Sequence, residues 1–69
     1  MKASDIPDTE IFAACNAFHE GRASTPDIAL AEKYPPKVIL AKMQKLSNQC
    51  KLDYGVSLRT AWVREEMPA

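Results

Sequence analysis

Two sets of side chains in this 69-residue sequence have types and spacings that could do chemistry. The first is Cys15 and His19, four residues apart, with Cys50 as a third candidate ligand. On one helix face such a pair could share a metal ion. Without a paired-ligand motif the simpler reading is helix packing, with Cys15 on a core face and His19 on its flank, so no metal and no cofactor is expected. His19 is the single histidine, and no Ser-His-acid set, glycine-rich phosphate loop or pair of carboxylates over an apolar floor accompanies it. The chain is therefore read as non-enzymatic.

The second set is cationic. Lys37, Lys42 and Lys45 are interleaved with Val38, Ala41 and Asn48, and Ser57, Arg59 and Thr60 follow. Nine basic and nine acidic residues cancel over the whole chain, which is unlike a nonspecific nucleic-acid binder. The charges are nevertheless sorted. Residues 1–34 hold three basic against six acidic residues, and residues 35–69 hold six against three. The sequence is a dipole with a basic C-terminal half.

A chain of this length holds one domain, residues 1–69, with a thin core. Its apolar runs, 11–15 and 38–41, are too short to cross a membrane, and no apolar signal region follows Met1, so a cytoplasmic protein with no membrane partner is expected. Cys15 and Cys50 are then expected to be free thiols. Residues 1–7 read as a loose arm. Asp8 and Glu10 sit where a helix N-terminus favours acids, Ile11, Cys15 and Phe18 share a face, and Gly21 stops the helix, which spans 8–20. Thr25 as cap and Pro26 at the first position open a second helix over 26–33, with Ile28, Leu30 and Ala31 inward.

Pro35-Pro36 opens the longest helix, 36–49. On a wheel of 100° per residue, Met43, Leu46 and Cys50 fall within about 40° of Ile39, and Leu40 flanks them. Lys37, Val38, Ala41, Gln44, Lys45 and Asn48 occupy the other side, with Lys42 and Gln49 at the border. Beyond Cys50 the period shortens, and residues 51–64 read as a β-hairpin around Gly55, followed by a tail at 65–69. Which hairpin face turns inward stays open: Leu58, Thr60 and Trp62 share one side, and Arg59, Ala61 and Val63 the other. Trp62 is expected to cover the core. The fold class is α+β, three helices and a two-stranded hairpin.

This order resembles the winged helix-turn-helix family. Residues 28–34, with the Leu30-Ala31 pair, are similar to the family's positioning helix. The run from Met43 through Leu46 to Leu52 is similar to its recognition helix and entry to the wing, where a leucine, three residues, a glycine, one residue and an aliphatic occur in order. The resemblance covers about 25–64 and departs at the glycine, which here is Cys50. A cysteine there either bears strain of about 1 kcal/mol or shifts the helix end, with its sulfur buried against helix one as compensation.

The resemblance implies double-stranded DNA as partner. The third helix would enter the major groove, presenting Lys37, Val38, Ala41, Lys42, Lys45 and Asn48, while Ser57, Arg59 and Thr60 of the wing touch the backbone or the minor groove. It also implies a small transcriptional regulator acting by occupancy, similar in style to those of phage and bacterial genomes. Such proteins pair as homodimers, here through the Ile11–Phe18 helix and the N-terminal arm. The alternative is a protein partner without DNA, the module or small inhibitor using the acidic first helix, the hairpin and Tyr34, Tyr54 and Trp62.

Overall fold

Proline and glycine punctuation sets most of the helix boundaries. The computed structural model describes residues 2–64. Helix α1 runs Asp8–His19 directly after Pro7, and α3 runs Pro36–Asn48 directly after Pro35. Between them, α2 is a single turn, Pro26–Ala29. Two strands follow, β1 (Leu52–Asp53) and β2 (Trp62–Val63), antiparallel, with Leu52 opposite Val63 and Asp53 opposite Trp62. The architecture is a small α+β fold, and no helix among the described residues is long and apolar enough to cross a membrane. The expected tail at 65–69 lies outside the described residues.

The core is where α1 and α3 face each other. Ile11 and Cys15 from α1 meet Ile39, Met43 and Leu46 from α3, and Leu52 of β1 and Ala61 close the cluster. Burial of this apolar surface is the main force that fixes both helices in register. Ile6 is also fully buried in this cluster, which corrects the loose arm: Ala3–Asp5 forms a 3-10 turn that delivers Ile6 to the core.

The second helix is shorter than the expected 26–33. Residues 30–34 continue as tight turns, with Lys33 and Tyr34 N–H both donating to the Leu30 carbonyl. Tyr34 precedes a proline, whose ring disfavours helical geometry at that position, so the turn cannot lengthen toward α3. Thr25 stands at the cap position, yet its hydroxyl makes no capping hydrogen bond. Of the three residues expected inward, only Leu30 packs against the core; Ala31 is exposed and Ile28 is 62% exposed.

The hairpin is also reduced. β-Branched composition predicts a strand over much of 58–63, but Leu58–Thr60 forms a 3-10 turn. Ser57 and Thr60 are the cause. The Ser57 Oγ accepts from the Arg59 N–H at 3.2 Å, and the Thr60 hydroxyl donates to the Ser57 carbonyl at 2.9 Å. Such local side-chain bonds compete with a strand ladder. The open question of facing is resolved by Ala61, which is fully buried, while Trp62 is 41% exposed and does not seal the core.

Cys50 adopts φ 64°, so the helix end is not shifted. Its thiol is exposed, which corrects the expected burial against helix one. Of the arm and first helix expected to pair two copies, Ile6, Ile11 and Cys15 are buried in the chain's own core, while Ala13 and Asn16 are exposed.

Candidate nucleic-acid interface

The outward side of α3 follows from the inward one. With Ile39, Met43 and Leu46 buried, the 3.6-residue period turns Lys37, Ala41, Gln44, Lys45 and Asn48 to solvent, and all five are exposed. No acidic residue occurs in α3. Among the described residues neither Lys37 nor Lys45 has an ion-pair partner. Val38, expected on this face, is half-buried and packs against the core cluster.

Lys42 does not belong to the outward face. It is only 7% exposed, and its Nζ lies 2.5 Å from Asp8 Oδ1. The wheel placed it at the border, and the approach of the α1 N-terminus decides its direction. Asp8 also accepts from Lys51 at 3.2 Å. The hydrogen bond from Lys42 holds the Asp8 carboxyl below its ordinary value, assisted by Lys51 and opposed by partial burial.

The neighbouring Glu10 accepts from the Tyr34 hydroxyl at 2.5 Å and from Lys33 at 3.1 Å, and those bonds lower its titration range too. The same contact raises the Tyr34 phenol and occupies one of the aromatics proposed for a protein patch.

Two of the three wing residues, Arg59 and Thr60, are tied to the body of the protein, and Ser57 bonds only within the turn. Arg59 Nε lies 3.4 Å from Oδ2 of Asp27, a carboxylate buried at the start of α2. The other oxygen of Asp27 is buried without a partner, so removing Arg59 leaves an uncompensated charge. The hydroxyls of Ser57 and Thr60 close the 3-10 turn described above. His19 adds a second tie: its Nε2 donates to the carbonyls of Thr60 and Ala61, both at 3.1 Å. Since a carbonyl can only accept, this nitrogen carries the proton. His19 also meets Phe18 and Trp62 edge to face.

Cys15 is enclosed, and burial pushes its thiol up to about 11. Among the described residues no three His, Cys, Asp or Glu side chains come together as a metal site.

The structure thus brings Lys37, Ala41, Lys45 and Asn48 together on one surface, removes Lys42 from it, and holds Ser57, Arg59 and Thr60 in a separate clasp. It adds Gln44, whose Nε2 donates to Asn48 Oδ1 at 3.1 Å. The helical period placed Gln44 on the outward side; its i, i+4 spacing from Asn48 was the signal that the two amides meet. Comparison with known proteins finds no matching family model, no similar curated protein and no similar solved structure.

Proposed function

We propose that this chain binds double-stranded DNA as a winged helix-turn-helix, with α3 in the major groove. The observation that carries the reading is the exposed face of α3, which has two unpaired lysines, two amides, a small apolar side chain and no acid. Lysines neutralise phosphates, and amide and methyl groups match base edges. Lys37 adds a physical argument. A cation in the first turn of a helix sits at the positive end of the macrodipole, which is unfavourable unless an anion is present. A phosphate is such an anion.

The short strand pair and the clasped loop support a wing that steadies the body of the fold. Arg59 in this reading holds Asp27, and α3 carries the groove contacts. One α3 covers a single half-site, so a palindromic operator would be read by two copies of the chain.

The test is equilibrium binding to a mixed-sequence duplex at two salt concentrations, for wild type and for the Lys37→Ala, Lys45→Ala double variant. Binding should weaken as salt rises, and the double variant should bind less tightly with a logarithmic salt slope shallower by about 2. If wild type does not bind the duplex at low salt, the reading fails. The exposed Ile28, Tyr54, Val56 and Trp62 then become the starting point for a protein partner.

A further inference from the structure

We infer that α3 selects adenine–thymine pairs, through the linked amides of Gln44 and Asn48. The inference rests on the duplex-DNA reading and adds a base preference to it. Because Gln44 Nε2 donates to Asn48 Oδ1, the roles of the four amide heteroatoms are divided. The Gln44 carbonyl oxygen, an acceptor, and the Asn48 NH2, a donor, are left wholly free for a ligand, while Gln44 Nε2 keeps one further N–H and Asn48 Oδ1 one further lone pair. Neither has another partner among the described residues.

In the major groove an adenine edge presents an acceptor, N7, beside a donor, N6. A guanine edge presents two acceptors, which a side chain with two parallel donors reads best. Arginine is that side chain, and α3 contains none. Ala41 lies on the same stripe, one turn before Gln44, where its methyl can meet the methyl of thymine. At 1.5 Å per residue, Ala41 and Asn48 are about 10 Å apart along the axis. That length matches about three steps of duplex at about 3.4 Å each. Lys37, one turn before the trio, and Lys45, at its side, have the stem length to reach the flanking phosphates.

The experiment is selection from a duplex pool with a randomised core, followed by affinities for the recovered duplex and for a copy with one A·T pair changed to G·C. Wild type should recover cores with consecutive A·T pairs and bind the changed copy about tenfold less tightly. Gln44→Ala and Asn48→Ala should lose most of that discrimination while keeping the wild-type salt slope and remaining folded by circular dichroism. Gln44→Arg should move the preference toward guanine. Recovery of G·C-rich cores, or discrimination unchanged in both alanine variants, overturns the base preference and leaves duplex binding standing. Absence of any duplex binding overturns both.

Discussion

Helices α1 and α3 are built to the same plan and differ in two places. Each begins directly after a proline, with no side-chain cap on its first amides. Each ends in the same hydrogen-bond pattern. In α1, Arg22 N–H donates to Ala17 and Gly21 N–H to Phe18; in α3, Lys51 N–H donates to Leu46 and Cys50 N–H to Ser47. That is a Schellman closure in both, with a left-handed residue at φ 75° in Gly21 and 64° in Cys50. The differences are the charge at the start and the residue at the close. Helix α1 opens with Asp8 and Glu10, which suit the helix dipole and are engaged by Lys42, Lys51, Lys33 and Tyr34. Helix α3 opens with Lys37 and no acid. One N-terminus is satisfied within the chain, and the other carries a lysine with no ion-pair partner among the described residues.

The largest effect should come from breaking the satisfied end. Asp8→Ala leaves the ammonium of Lys42 buried without its partner and should cost about 2 kcal/mol in a urea melt, since Asp8 is itself partly exposed to screening solvent. Acid should do the same progressively. Asp8 and Glu10 both titrate below their ordinary values when folded, so at low pH the unfolded chain binds more protons. The stabilisation is complete above about pH 4–5, the unfolded carboxylate range, and is lost as pH falls through the lower folded values. Asp8→Ala should flatten this dependence, leaving the part due to Glu10.

Next in size is the reverse change at α3. Lys37→Glu should lower duplex affinity at least about tenfold by placing an anion against phosphate. The same substitution should raise thermal stability by about 0.3–1 kcal/mol, because the new charge suits the dipole. A variant that gains stability and loses binding would sharpen the contrast between the two N-termini. One that loses both would show that Lys37 serves the fold.

The closing residues give a pair of opposite substitutions. Cys50→Gly should stabilise by about 0.5–1 kcal/mol, since glycine adopts positive φ without a Cβ clash. Gly21→Ala should cost about 1 kcal/mol from backbone conformation alone, because an added Cβ there meets nothing within 4 Å. Thiol labelling separates the same two regions. Cys50 should react at once in the folded protein, whereas Cys15, buried and with its thiol pushed up to about 11, should react only on unfolding. Fast labelling of both would contradict the packing of α1 on α3.

Much of this was readable along the chain. Pro7, Gly21, Pro35 and the period of Ile39, Met43 and Leu46 locate α1 and α3 to within a residue, because caps and helical periodicity are local. The outward set of Lys37, Ala41, Gln44, Lys45 and Asn48 follows from the same period. Less readable were the short segments. Ile6 lies in the core although nothing around it is periodic, and Ile28 stands out in solvent although the sequence places it inward with Leu30 and Ala31. A single turn has too few residues to show a period, so tertiary contacts assign its faces. The loop at 58–60 followed the hydrogen bonds of Ser57 and Thr60 over β propensity.

The order of residues alone determined where α1 and α3 start and stop, which side of α3 is apolar, and that the C-terminal half is basic. Those properties come from backbone chemistry and from a repeat of 3.6 residues, and both act between near neighbours. Only the tertiary structure decided which cations remain free. Lys42 and Lys45 are three residues apart and equally basic, yet one is drawn inward by Asp8, 34 positions away, and the other meets solvent. Charge compensation acts across contacts that the chain makes only once α1 has packed on α3.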